Sequence, residues 1–383
     1  MTGHIRRRGE HSWELKFDDG RDPATSKRII RYASVKGTRK DAQRKLVELL
    51  KSQHDGSYVE PSKLTVAEHV RARVKQWEAN GDIGPKTAER YREMTERQIV
   101  PYLGAKLLQK LKPADIEAWH STLKVKGRKG GTGGLARKTI VHCHAVLRKA
   151  LNDALRNDLV TKNVAVSQQP PRGTSREVTI LTDDTMKALL EGLEGRAMQA
   201  PVLTALYTGL RRGELLALKW ANVDLDGRVL KVKEALTETA TEIHVKTPKT
   251  AKGFRNVTLP DVVVDILRRH RQQQLEQRMA LGLGRPPADA LVFTRSDGTH
   301  QSPHDFSSAW GAVARSIGLP DVTFHALRHT HVSQLIDAGV DIVVISCRLG
   351  HASPNVTLGI YAHMFRKSDD KAAAAINAAL AKS

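Results

Sequence analysis

Apolar positions recur along this chain with two periods, and the change of period marks a change of architecture. Trp13, Leu15 and Phe17 alternate with polar residues, the two-residue period of a half-buried strand. Ile29, Ile30 and Tyr32 predict another strand after the turn-like DDGRDPATS. Thr38 with Asp41 three residues on is a capping-box signature, and it opens a helix carrying Leu46, Leu49 and Leu50. Residues 1–58 therefore read as a small ββα-type unit, ββ(β)α if a further strand joins.

From residue 63 the period becomes helical. Thr65 and Glu68 form a second capping box, followed by Val66, Val70, Val74 and Trp77 at helical spacing. Pro85 suits a first turn, Pro101 a position past a last one, and Pro113 opens a helix with Ile116, Trp119 and Leu123 on one side. The loop GRKGGTGG precedes a long helix bearing Ile140, His144, Leu147, Leu151 and Leu155. The stretch SQQPPRGTS holds regular structure poorly and predicts a linker. Beyond it, helical patterns cover 182–193, 198–208, 211–219 and 261–281. RVLKVKE, TEIHVKT and RNVTLP read as strands. The expected fold is multidomain α+β, divided as 1–58, a helical 63–167, a linker 168–176, and a mainly helical 177–383 with a β-hairpin or small sheet.

Charge changes this picture more than composition does. The 383 residues carry 62 Lys+Arg against 41 Asp+Glu, a net of +21, and the default partner of so basic a chain is nucleic acid. Residues 61–170 hold 21 Lys+Arg and 10 Asp+Glu, a net of +11, whereas 1–60 and 171–383 each carry +5. The helical middle is thus expected against a phosphate backbone. Cys143 and Cys347 form no CxxC pair, which fits a reducing cytoplasm. MTGHIRRRGE has no apolar run and nowhere do 18 apolar residues follow one another, so the chain is expected neither to be secreted nor to span a membrane.

Three segments concentrate the candidate chemistry. In HALRHTH, His325 and His329 stand four apart, as zinc ligands do on a helix. No HExxH glutamate accompanies them, and the guanidinium of Arg328 would repel a dication, so no metal is expected. A helix of solvated or packed histidines accounts for this stretch equally well when it stands alone. In LYTGLRRGELLALKW, Thr-Gly breaks two helices and puts Arg211 at the start of the second, where an anion is favoured; Arg212 competes for the role. In RLGHASPNVTLGIYAHM, Gly350 ends a helix, His351 follows, and Tyr361 comes ten residues later.

Together these segments spell Arg … His-x-x-Arg … His … Tyr. The order, and the words TGLRRGELLAL, HALRHT, LGHAS and IYAH, resemble the tyrosine recombinases, the phage-integrase family. The resemblance covers residues 177–365 directly and the upstream parts more loosely. It implies an arm-type DNA-binding domain at 1–58, a core-binding domain at 63–167 and a catalytic domain with a C-terminal helical tail at 177–383. It implies an enzyme that integrates or excises a mobile element through a 3′-phosphotyrosine intermediate and a free 5′-hydroxyl, with no cofactor. Tyr361 would be the nucleophile, Arg211 and Arg328 would hold the scissile phosphate, and His325 and His351 would donate hydrogen bonds or shuttle the tyrosine proton.

In the family a hairpin lysine protonates the leaving oxygen. KTPKTAKGFRNVTLP offers Lys246, Lys249 and Lys252, and the family spacing of Lys-Thr to an arginine six residues on favours Lys249 with Arg255. Glu214 is a candidate partner orienting an arginine, while His329 and His331 are expected in packing or DNA-backbone contact rather than catalysis. The implied partners are double-stranded DNA attachment sites, further copies of the chain in a tetramer on DNA, and an accessory DNA-bending or directionality protein. The implied location is the cytoplasm, at the nucleoid. The alanine-rich tail DDKAAAAINAALAKS would dock in trans on a neighbouring protomer, or in cis on its own domain. Two alternatives share these features: a type IB topoisomerase-like relaxing enzyme, and a catalytically idle DNA-binding protein on the same fold.

Overall fold

A computed structural model of the chain describes residues 3–21, 25–55, 58–128, 130, 133–171, 173, 179–248, 251–365, 376–377 and 380–381. The chain divides into two compact units, Met1–Thr174 and Ser175–Ser383. Its class is the expected mixture of helices and small sheets. No helix among the described residues is long and apolar enough to cross a membrane.

The first unit opens with an antiparallel sheet of β1 (His4–Gly9), β2 (Ser12–Arg21) and β3 (Arg28–Lys36), in that order. Leu15 lies opposite both Ile5 and Ala33. It is buried with Phe17 against Ala42 and Leu46 of α1 (Arg39–His54). Both halves of the Thr38–Asp41 capping box form at the head of α1. The unit continues with α2 (Val66–Ala79), α3 (Pro85–Met94), α4 (Val100–Leu103), α5 (Pro113–Lys126) and α6 (Arg137–Arg156) around a separate core that includes Trp77, Ile116, Trp119, Leu147 and Leu151.

Pro101 departs from expectation, since it stands inside α4 rather than past a helix end. A wide π-turn at Thr95–Ile99 joins α3 to α4 and restarts the hydrogen-bond ladder, with Val100 bonding back to Thr95. The proline then occupies a first turn, where its missing N–H costs nothing.

The second unit is built on α7 (Asp183–Leu193), α8 (Gln199–Thr208), α9 (Arg212–Leu216), α10 (Asp261–Ala280), α11 (Pro303–Ser316), α12 (Phe324–Asp337), α13 (Ile342–Leu349) and α14 (Pro354–Phe365). Helix α8 is buried almost all round, with Val202, Leu203, Ala205 and Leu206 in the core. The strands make both a small sheet and a hairpin. β4 (Val223–Asp224), β5 (Val229–Val232) and β8 (Arg255–Thr258) form the first, with Leu230 opposite Val257. β6 (Ala235–Glu238) and β7 (Ile243–Lys246) form a separate hairpin.

Candidate active site

Helix ends bring the site together. Helix α8 stops at Gly209, whose φ of +69° is a left-handed cap that a glycine adopts without steric cost. The turn aims the Gly209 carbonyl at Arg328, which donates to it through Nη1, and leaves Arg211 at the head of α9. Gly350 ends α13 in the same way, with φ +64°, and His351 follows it. Thr323 caps α12 by accepting from the Ala326 N–H, and that helix carries His325, Arg328 and His329.

Arg328 is 4 % exposed. Its Nη2 donates to the Leu349 carbonyl at 2.8 Å and to His351 Nε2 at 3.1 Å. Burial, then the charge of Arg211, pulls its pKa down to about 9, so it remains a cation at neutral pH. A guanidinium cannot accept, which makes His351 Nε2 the acceptor. The proton of that imidazole then sits on Nδ1 and is donated to Thr357 Oγ1 at 2.7 Å. Burial, with the charges of Arg328 and Arg211, lowers His351 to about 4, in keeping with a neutral ring.

Arg211 is more open, with its side chain 41 % exposed. Its backbone N–H and its Nη1 both donate to Glu214, at 2.9 and 2.8 Å. Glu214 also accepts two bonds from Arg255, at 3.1 and 2.8 Å, and both of those side chains are buried. Burial alone would raise the carboxyl; the Arg255 hydrogen bonds and the charges of Arg255 and Arg211 outweigh it and hold Glu214 at about 2. Arg255 also donates through Nε to the Arg348 carbonyl at 2.7 Å, tying β8 to α13.

Tyr361 is 2 % exposed among Val332, Ile336, Ile345 and Leu349, and its hydroxyl meets Nδ1 of His329. Burial pushes the phenol up to about 12, opposed by the nearby charge of Arg328. Burial, then His325 and Arg328, lowers His329 to about 4. The His329 ring stands edge-on to that of His325 with centroids 4.5 Å apart. His325 keeps an exposed edge, and its pKa is lowered by desolvation first and then by Arg328 and Arg211.

Arg211, His325, Arg328, His351 and Tyr361 thus gather around α12, with Glu214 joining Arg211 to Arg255. Lys249, with the rest of its Lys-Thr pair, lies outside the described residues. Lys252 is described, and its Nζ donates to the Ala352 carbonyl at 2.9 Å, next to His351. His331 packs as expected: it is buried, accepts from Arg348 Nε at 3.1 Å, and is lowered to about 3 by burial and then by Arg348 and Arg328. His329 differs, because it touches the Tyr361 hydroxyl. Arg255 and Arg348 also belong to the network, though spacing assigned Arg255 only as a marker for the lysine and assigned Arg348 nothing. A cavity of about 550 Å³, lined by Arg196, Ile266, His270, Gln274 and Phe293 among others, touches none of these residues. No group of three potential metal ligands occurs among the described residues.

The phage integrase family model matches residues 179–368, and that of the phage integrase N-terminal SAM-like domain matches 70–124. An integrase of Streptomyces ambofaciens is 31 % identical over 363 residues, covering 92 % of this chain and 90 % of its own. A tyrosine recombinase XerC-like protein of Caldanaerobacter subterraneus is 25 % identical over 390 residues, covering 96 % of each. Among solved structures, the Tn1549 transposon integrase in complex with a circular intermediate DNA superposes with a TM-score of 0.67 at 22 % identity, over 78 % of this chain and 95 % of that one.

Proposed function

The chain belongs to the phage integrase family and is a site-specific tyrosine recombinase of mobile elements, and we propose that it cuts and rejoins double-stranded attachment-site DNA through a 3′-phosphotyrosine link to Tyr361. The observation that carries this reading is the convergence on α12 of two arginines, two further histidines and a buried tyrosine. Arg211 and Arg328 grip the non-bridging oxygens of the scissile phosphate with planar forks suited to them. Losing one such donor in a dry site typically costs about 100- to 1000-fold in rate. His325 and His351 flank the clamp, where they donate hydrogen bonds or shuttle the tyrosine proton. The phenol oxygen of Tyr361 attacks phosphorus as its proton passes to a neutral imidazole, that of His325 or His351, and the 5′-oxygen leaves, taking its proton from Lys249 in preference to Lys246 or Lys252. Side-chain cations do the neutralising, without a cofactor.

Residues 1–58 are proposed as the arm-type DNA-binding domain, 63–167 as the core-binding domain and 177–383 as the catalytic domain, joined by 168–176. The net +11 of the helical part supports its place on a phosphate backbone. The working assembly is a tetramer on DNA, helped by an accessory bending or directionality protein and located at the nucleoid. The tail after α14 is proposed to dock in trans; residues 366–375 lie outside the described ones.

A nicked suicide substrate built from the DNA flanking the gene tests the reading. Wild type is expected to be trapped covalently. Tyr361→Phe is expected to bind the site nearly as well and to form no adduct, and an adduct with that variant sinks the assignment. Trapping excludes an idle DNA-binding protein, and recombination between two sites separates this reading from a relaxing topoisomerase.

A further inference from the structure

His329 has no part in the phosphate chemistry assigned to α12, yet it makes the one polar contact described for the Tyr361 hydroxyl. It follows Arg328 directly, lies four residues after His325, and its ring packs edge-on against His325 at 4.5 Å. A helix holds neighbours at that spacing on one face, so the imidazole is fixed between a residue of the clamp and the nucleophile. Its own ring centroid is 5.7 Å from that of Tyr361. With the imidazole neutral and its proton on Nε2, Nδ1 is an acceptor to which the tyrosine hydroxyl donates.

We propose that His329 is a positioning residue for cleavage: its Nδ1 accepts the hydrogen bond of the Tyr361 hydroxyl and fixes the phenol oxygen beside the phosphate clamp. The inference rests on the assignment of Tyr361 as nucleophile. A phenol carries one rotatable O–H on a ring that turns about its own axis. Apolar neighbours such as Val332, Ile345 and Leu349 can bury that ring but cannot orient the hydroxyl. One acceptor in a fixed place removes that freedom and points an oxygen lone pair away from the imidazole, toward the side from which phosphorus must come. Docking beside the clamp, within reach of the Arg328 charge, marks this contact as one that prepares attack rather than one that holds the nucleophile away.

The test uses the full-length protein, a nicked suicide substrate carrying the chain's own site, and three variants. Asn places an amide oxygen near the position of Nδ1, so His329→Asn keeps the acceptor. His329→Leu keeps bulk and removes it. Tyr361→Phe is the control for the underlying assignment. The rate of covalent trapping at saturating DNA is expected to fall about tenfold or more in His329→Leu and to stay within a few-fold of wild type in His329→Asn, with site affinity unchanged in both. Equal impairment of the two variants would mean that the imidazole only packs, and overturns the proposal. Trapping by His329→Leu at or above the wild-type rate overturns it too, the faster case marking the contact as a latch. An adduct formed by Tyr361→Phe removes the nucleophile assignment itself. Loss of adduct in that control with a fully active His329→Leu removes only this inference.

Discussion

At the scale of single residues, the site depends on one buried carboxylate shared by two arginines. Glu214 ordinarily titrates near 4.5 and is held at about 2 in the folded chain. A depressed carboxyl adds stability that is complete above its unfolded pKa and is lost as pH falls toward the folded one, here between about pH 4.5 and 2. Glu214→Gln leaves Arg255 buried without its counter-charge and is expected to cost about 3–5 kcal/mol at pH 7. The gap between wild type and variant should narrow as pH falls below 4.5, measured by urea unfolding across pH; a gap independent of pH would refute the ionised pair. The two clamp arginines should respond differently to lysine. Arg211→Lys is expected to lose most cleavage with stability little changed, because Arg211 is partly open and an ammonium lacks the bidentate fork. Arg328→Lys should lose cleavage and also about 2 kcal/mol of stability, because its bonds to the Gly209 and Leu349 carbonyls go with the fork. Near wild-type trapping by both would remove them from the clamp. Residues whose role is set by type and spacing, such as Arg211, His325 and Tyr361, could be singled out from the chain alone. His329, Arg255 and Arg348 could not, because their partners are distant in sequence: His329 meets a residue 32 positions away, and Arg348 donates to the Thr258 carbonyl 90 positions away.

At the scale of elements, the site is held by helix ends more than by helix faces. Gly209 is the clearest case: its φ is +69°, and a Cβ there would come within 2.6 Å of His331 Cδ2 and 3.0 Å of Leu349 Cδ2. Gly209→Ala must therefore strain the backbone and push α8 away from α12 and α13, moving the carbonyl that holds Arg328. A loss of about 2 kcal/mol or more is expected, together with weaker trapping of suicide substrate; a variant as stable as wild type would show that the cap tolerates a side chain. Elements with a strong period and a cap were legible in the chain, as the Thr38 and Thr65 capping boxes and the runs of α7, α8 and α10 show. Three kinds were not. The edge strand β1 reads HIRRRG and has no alternating apolar face because almost all of it is exposed. The strands of the second unit, four residues or fewer each, are too short for periodicity to say which pairs with which, so the chain left a hairpin and a small sheet as alternatives where both form. The π-turn before Pro101 is set by packing around Ile99 and Trp119, whose Nε1 donates to the Gln98 carbonyl at 2.6 Å, and no local pattern encodes it.

At the scale of the whole molecule, the first 58 residues can be separated from the rest on physical grounds. Leu15, Phe17, Ala42 and Leu46 form a core distinct from the one that runs from Val66 to Ala165. Deleting residues 1–58 therefore exposes little of the second core. The deletion also removes ion pairs such as Arg31 with the exposed Glu60, and exposed pairs contribute only about 0–1 kcal/mol each. The truncated chain is expected to melt within a few degrees of the full one. It keeps the net +11 of residues 61–170 and every described member of the candidate site. Cleavage of a suicide substrate carrying only the core site should consequently persist, with an affinity that still falls steeply as salt rises, because each released counterion adds to the slope. Full integration should fail. The lost sheet carries Arg6, Arg7, Arg8 and Lys16 on exposed positions, and these are the groups available to hold a second DNA site. Trapping assays with the core substrate, run beside an integration assay on a complete attachment site, separate the outcomes. Normal integration by the truncated chain would refute a second DNA-binding surface at 1–58, and loss of core-site cleavage in a folded truncation would mean that the sheet serves the catalytic unit directly.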